Sequence, residues 1–150
     1  MSTYLVTGSN RGIGLEFCKQ LKDLGKNVIA TCREASNQLD ALGVQVIEDV
    51  DISSTKSIDK LKKNLKGIEI DCIVNNAGIA EYNSLDDFDL QSIKRQFEIN
   101  ALSPINFTKE LLCSLKKGSK IAFITSRMGS IEDNTSGGSY GYRMSKVALS

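Results

Sequence analysis

The 150-residue sequence contains no histidine and no tryptophan, and its only proline is Pro104. Without histidine no His-based triad can be assembled, so proton chemistry falls to Tyr, Lys, Ser, Asp and Glu. The four cysteines, Cys18, Cys32, Cys72 and Cys113, are far apart and form no C-x-x-C pair. That spacing points to neither a zinc site nor a redox motif, and the expectation is four reduced thiols used as small apolar side chains in a cytosolic protein, with no metal. No apolar run approaches the roughly 18 residues of a membrane span. The first ten residues pass straight into a strand-like run, which leaves no room for a charged and then apolar leader. Charge of one sign is also missing: 19 basic and 18 acidic residues are interspersed for a formal charge of +1. Nothing in that balance recommends nucleic acid or an acidic membrane surface as a partner. The lysine-rich piece Lys60 to Lys66 carries Leu61 and Leu65 at helical spacing and reads as the wet face of an amphipathic helix.

What is present suffices for one domain over residues 1–150, since 41% of the side chains are apolar and 25% charged. Short apolar runs at Tyr4-Leu5-Val6, Val28-Ile29-Ala30, Val44 to Ile47, Cys72-Ile73-Val74 and Ile121 to Ile124 alternate with segments of helical period. The helical segments are Ile13–Leu24, a short turn near Gln38–Ala41, Ser54–Leu65 and a long stretch from about Asp86 to Ser114. This alternation predicts βαβ units, that is, an α/β fold with a doubly wound parallel sheet and helices on both faces. Pro104 is expected to bend or interrupt the long helix, because it removes an internal hydrogen bond. Lys146 to Ser150 is still in helical pattern with no glycine or proline to stop it, so a longer fold, with at least one further strand and helix, is expected.

"TGSNRGIG" follows the first strand and opens the first helix, placing glycines at 8, 12 and 14. Such a turn lets backbone N–H groups and the positive end of a helix approach a pyrophosphate. Its spacing is G-x-x-x-G-x-G, not the general G-x-G-x-x-G, and no G-K-[ST] follows to make a P-loop. At the end of the second strand, where an acid commonly holds the ribose 2′-hydroxyl of NAD, stand Cys32 and Arg33. With Arg11 they offer charge-assisted donors to a 2′-phosphate; two solvated arginines are the plainer reading, and Glu34 beside them weakens the electrostatic case. "NNAG", Asn75 to Gly78, falls after the fourth strand, where the carboxyl ends of parallel strands form the ligand crevice; it also reads as an ordinary turn. Near the end, Tyr142 and Lys146 are one helical turn apart and share a face, whereas Tyr140 lies over Met144.

Taken together and in order, "TGSNRGIG", "VDIS", "NNAG", "FEIN", "ITS" and Tyr142-x-x-x-Lys146 resemble the short-chain dehydrogenase/reductase family over essentially the whole chain. Within it, "CREASNQLDALG" and "SRMGSIEDNTSGG" resemble the sniffer-like or C-factor-like carbonyl reductases, which are cytosolic and NADPH-dependent. The resemblance implies a Rossmann-type NADP-binding domain, and it places Asn100, Ser126, Tyr142 and Lys146 on the catalytic tetrad. It puts Gly8, Gly12, Ile13 and Gly14 on the cofactor turn, and Asn10, Arg11 and Arg33 join them as candidate cofactor contacts. Asp51 and Ile52 fall on the adenine side, and Asn75, Ala77 and Gly78 on the segment lining the cofactor, which Tyr142 and Lys146 also contact. Sixteen positions separate Ser126 from Tyr142, longer than the family's usual spacing. An insertion in the loop at Thr135 to Gly138 accounts for this, and Ser130 is a second candidate for the serine.

The implied activity is reduction of a small aldehyde, ketone or quinone to an alcohol, with NADPH as hydride donor and Tyr142 as proton donor. The Lys146 ammonium would favour the tyrosine's phenolate form, Ser126 would hydrogen-bond the substrate oxygen, and Asn100 would hold a water linking Lys146 to solvent. The contrasting reading is a non-catalytic protein that senses NADP(H) or binds a partner on the same fold. A sensor needs only the phosphate and adenine contacts, so the intact tetrad argues for the enzyme. A homodimer through paired helices is the assembly the resemblance offers.

Overall fold

Five strands pair side by side, every neighbour parallel, in the order β3-β2-β1-β4-β5. They are β1 Thr3–Thr7, β2 Asn27–Thr31, β3 Gln45–Ile47, β4 Ile70–Asn75 and β5 Leu115–Phe123. The structure, a computed structural model, describes residues 1–133 and 135–150. Strand order reverses between β1 and β4, so their carboxyl ends diverge from a common point and open a crevice there. The helices are α1 Gly12–Asp23, α2 Asn37–Asp40, α3 Thr55–Asn64, α4 Leu90–Phe97, α5 Ser103–Glu110 and α6 Tyr140–Leu149.

Successive strand residues alternate between two cores, as the pleat requires. Leu5, Ile29, Ile47 and Ile73 pack with Ile58, Leu61 and Leu65 around α3 and with Phe107 and Leu111 around α5. On the other face Val6, Val28, Ala30 and Val74 pack with Cys18 of α1 and Leu39 of α2. Around β1, β2 and β4 the sheet is thus covered on both sides, which explains the apolar runs in those strands, whereas β5 at the edge is largely exposed. Cys18, Cys32 and Cys72 are buried free thiols, as their small apolar character predicts, while Cys113 is exposed. No helix among the described residues is long and apolar enough to cross a membrane.

Two expectations change in detail. β5 begins at Leu115, six residues ahead of the apolar run, and its register against β4 shifts between Ile70 and Cys72. The long helix starts only at Leu90, where the Asp89 carboxylate caps the N–H groups of Gln91 and Ser92 at 2.9 and 3.1 Å. It is broken ahead of Pro104 rather than at it: residues Glu98–Leu102 form a π-helical turn, and Pro104 sits in the first turn of α5. Proline has no N–H to give the Asn100 carbonyl four residues back, and the wider turn absorbs that missing bond.

Candidate active site

The chain leaves β1 at Thr7 and turns at Gly8, whose φ of +66° is left-handed. A Cβ on Gly8 would stand 2.9 Å from the Ala77 Cα, and one on Gly14 only 2.2 Å from the Gly8 carbonyl oxygen. The turn therefore closes on itself and on the segment after β4 with no room for a side chain at either position. Asn76 holds the two segments together: its side-chain Nδ2 donates to the carbonyls of Thr7 and Gly8 at 3.0 and 3.1 Å. The Thr7 hydroxyl oxygen in turn accepts from the backbone N–H groups of Asn76 and Ala77, both at 3.0 Å. Neither Thr7 nor Asn76 stood out in the motifs, although both lie inside or beside them.

Between these segments and the end of β2 lies a cavity of about 620 Å³. Gly8, Asn10, Arg11, Gly12 and Ile13 line it from the turn, Arg33 from the end of β2, and Asp51 and Ile52 from the loop after β3. Ala77 and Gly78 complete the wall, with Asn76 and Ile99 alongside. Gly14 lies behind the turn, buried against the Gly8 carbonyl. Asn75 turns away from the cavity: its amide is buried and donates to the Thr108 hydroxyl of α5 at 3.0 Å. Of the two asparagines in "NNAG", the second is the one at the wall.

The cavity's polarity suits an anionic dinucleotide. Helices α2, α3 and α4 are capped by the side chains of Ser36, Ser54 and Asp89, but α1 begins at Arg11 without a side-chain cap. Its first N–H groups remain open to a phosphate. Arg11 and Arg33 are exposed and make no ion pair among the described residues. The thiol of Cys32 beside them is pushed up to about 11, first by burial and then by the charges of Glu48 and Asp40, so it stays neutral and adds no repulsion. Asp51 is exposed and accepts from the N–H and hydroxyl of Ser53 at 2.9 and 2.7 Å, which fixes its carboxylate at the cavity's rim.

Gly78 joins the cavity to the four remaining residues. A Cβ there would approach Asn100 Oδ1 to 3.0 Å and Lys146 Nζ to 3.6 Å, so the strip of chain entering the cavity runs directly past both side chains. Asn100 is fully buried in the π-helical turn. Both of its N–H donors are used: Nδ2 donates to the Ile79 carbonyl at 2.7 Å and the Ser145 hydroxyl at 3.0 Å, while Oδ1 accepts from the Ile79 N–H at 2.8 Å. Ser145 donates onward to the Tyr142 carbonyl at 2.8 Å. This serine, inside the "YRMSK" stretch but unmarked by spacing, ties the π-turn to α6.

On α6, Tyr142 and Lys146 share one face, with the ammonium nitrogen 5.7 Å from the centre of the phenol ring. Lys146 is buried, and burial holds its ammonium below the usual lysine range. Its anchor is the Ile124 carbonyl, 2.9 Å away. Of the next two residues of "ITS", the Thr125 hydroxyl donates to the Lys146 carbonyl at 3.2 Å, and Ser126 caps the 3₁₀ turn Arg127–Gly129, accepting from the Met128 N–H at 3.2 Å. Gly129 lies so close to the Lys146 backbone that a Cβ would stand 2.9 Å from its carbonyl carbon. Ser126 is half-buried, whereas Ser130 is exposed and accepts from the Glu132 N–H at 3.3 Å. Asn134, beside "TSGG", lies outside the described residues.

Comparison with known proteins identifies the family and the fold. A dehydrogenase from Rhodococcus sp. (strain AD45), 1-hydroxy-2-glutathionyl-2-methyl-3-butene dehydrogenase, is 40% identical over 99% of this chain and 66% of its own length. The C-signal protein of Myxococcus xanthus is 46% identical over 53% of the chain and 50% of its own length. The chain thus spans two thirds or less of the length of the curated relatives it matches. Among solved structures, a carbonyl reductase from Pseudomonas aeruginosa PAO1 in complex with NADP superposes with a TM-score of 0.90 at 27% identity, over 99% of this chain and 72% of its own. The NADPH-bound carbonyl reductase from chicken fatty liver gives 0.84 at 29% identity, over 99% and 70%. The short chain dehydrogenase family profile matches residues 2–150, and the chain belongs to that family of oxidoreductases.

Proposed function

We propose that the protein reduces a carbonyl compound, an aldehyde, ketone or quinone, to the alcohol with NADPH. The observation that carries this reading is the buried Lys146, anchored on Ile124 and facing the Tyr142 ring, at the point where Gly78 leads out of the cavity. Two relatives in fold, from Pseudomonas aeruginosa and chicken, are carbonyl reductases with NADP or NADPH bound, which supports both the reaction and the cofactor.

The tight glycine turn and the open end of α1 would receive the pyrophosphate, Arg11 and Arg33 the 2′-phosphate, and Asp51 and Ile52 the adenosine. When bound there, the cofactor would supply the hydride for the carbonyl carbon. Ser126, already an acceptor for Met128, has its hydroxyl hydrogen free to donate to the substrate oxygen as negative charge forms there. Tyr142 then gives its proton to the alkoxide, and the phenolate left behind is stabilised by the Lys146 ammonium until solvent returns the proton. Lys146 can fill this role because no carboxylate among the described residues competes for it.

An NADPH-oxidation assay of the full-length protein over a panel of quinones, aldehydes and ketones tests the reading, with Tyr142→Phe as the control. Phenylalanine keeps the ring and its packing and deletes only the hydroxyl. Tyr142→Phe is expected to lose most turnover and keep NADPH binding, while Tyr140→Phe does little. If Tyr142→Phe retained more than about a tenth of kcat, a loss under about 1.4 kcal/mol, the reading would be overturned.

A further inference from the structure

Ser92, Gln96 and Asn100 recur every four residues and so form one polar stripe along α4 and its π-turn, buried throughout. A stripe of this kind is unusual on the inward face of a helix, where apolar packing is the default. Each member is engaged. The Gln96 amide accepts from the Glu81 N–H at 3.0 Å and donates towards the Glu81 carbonyl, Asn83 Oδ1 and the Ser92 hydroxyl at 3.2, 3.1 and 3.2 Å. Asn83, also buried, donates to Ser92 at 3.2 Å.

What faces this cluster is the first turn of α6. A Cβ on Gly141 would lie 2.6 Å from Gln96 Nε2, 2.9 Å from Asn83 Oδ1 and 3.0 Å from the Ile93 Cα. The helix therefore rests its bare backbone on the two amides, one residue before Tyr142. That turn has no side-chain cap; it is entered through Ser139 in a left-handed conformation at φ +51°, and the Arg143 guanidinium ties it to Asp133 and Ser136 in the loop before it. The Ser139 N–H is held instead by the Asn83 carbonyl at 2.8 Å. One turn further on, Asn100 grips Ser145, which holds the Tyr142 carbonyl. Tyr142 is thus bracketed by Gln96 on one side and Asn100 on the other.

We infer that Gln96, with Asn83, is a positioning residue for the reaction: through Gly141 it sets where the Tyr142 hydroxyl stands over the reacting carbonyl. The inference rests on the reading of Tyr142 as proton donor. A satisfied buried amide cluster is stiff and admits one arrangement, whereas an apolar contact at the same place would let the turn slide. A displacement of about an ångström at a proton donor is costly in rate, and neither Gln96 nor Gly141 lines the cavity, so the effect belongs chiefly in turnover.

The test is Gln96→Leu in the full-length protein, which preserves bulk and removes every hydrogen bond. Turnover is expected to fall at least about tenfold, NADPH dissociation constants to stay within about threefold, and the solvent deuterium isotope effect on kcat to rise as proton transfer becomes limiting. Gly141→Ala presses on the same contact from the other side and should show the same selective loss, which keeps the inference open to test if Gln96→Leu does not fold. An unchanged kcat in folded Gln96→Leu or Gly141→Ala overturns it. So does a parallel fall of kcat, NADPH affinity and melting temperature with no change in the isotope effect, because that is the signature of a merely structural role. The two ideas fail separately: an active Tyr142→Phe removes the proton-donor reading, whereas an inactive Tyr142→Phe beside a fully active Gln96→Leu removes this one alone.

Discussion

The Lys146 ammonium nitrogen lies 2.9 Å from the Ile124 carbonyl oxygen, in a buried position with no carboxylate partner among the described residues. A charge held this way stabilises nothing by itself; it is kept charged at a cost, and burial moves its titration below the ordinary 10.5. The folded chain therefore binds fewer protons at this site than the unfolded chain between the lowered value and 10.5, so this group's contribution to stability rises with pH through that window.

Denaturant unfolding of the wild type and Lys146→Met, compared from neutral pH up towards 10.5, should show the wild type gaining on the variant as pH rises. A difference that is flat or shrinks contradicts the buried charge. The same variant should lose both turnover and NADPH affinity if Lys146 belongs, as proposed, to both the catalytic and the cofactor site.

Gly14 has an ordinary backbone conformation, yet it cannot accept a methyl group, because that group would meet the Gly8 carbonyl oxygen at 2.2 Å. The obstacle is backbone, which cannot swing aside as a side chain can. Gly14→Ala should cost about 3 kcal/mol in urea unfolding and weaken NADPH binding in proportion to how far the turn opens. A variant with wild-type stability and affinity would mean that the turn tolerates the displacement.

Arg11 and Arg33 line the cavity free of ion pairs among the described residues, beside a neutral Cys32. Calorimetry should find NADPH bound at least tenfold more tightly than NADH, about 1.4 kcal/mol. Arg33→Asp should reverse the preference by removing a phosphate donor and adding repulsion. Equal affinities in the wild type would remove the arginines from the phosphate site.

Two serines compete for the substrate oxygen. Ser126 is half-buried on a turn docked against the Lys146 backbone, and Ser130 is exposed at that turn's far end. Ser126→Ala should lower kcat by about a hundredfold or more, and Ser130→Ala by no more than a few fold. The opposite ranking would transfer the role to Ser130.

Much of this site is legible in the order of the residues, because its parts are local. A strand, a glycine turn and a helix follow one another within "TYLVTGSNRGIG", and Tyr142 and Lys146 share a face simply by being one turn apart. The strand positions are readable for the same reason: apolar runs between helical segments have few other folds open to them. Even so, local pattern misjudges the long helix. Periodicity marks which face is apolar but does not register a π-turn, and the proline that signals irregularity lies beyond the break, in the first turn of α5.

The sequence by itself determined the order of elements, the two-faced sheet and the identity of the glycines and of the Tyr–Lys pair. Tertiary structure alone decided which member of "NNAG" reaches the cavity, with Asn76 stitching the turn while Asn75 is drawn inward to Thr108. It also decided that the Asn100 amide bonds Ile79 and Ser145, and that Gln96 and Asn83 lie against the turn entering Tyr142. The physical reason is common to all of these. Hydrogen-bond partners thirteen to seventy residues apart are chosen by the packing of whole helices on a sheet, and an amide's spacing in the chain carries no record of which distant backbone group will be left needing it.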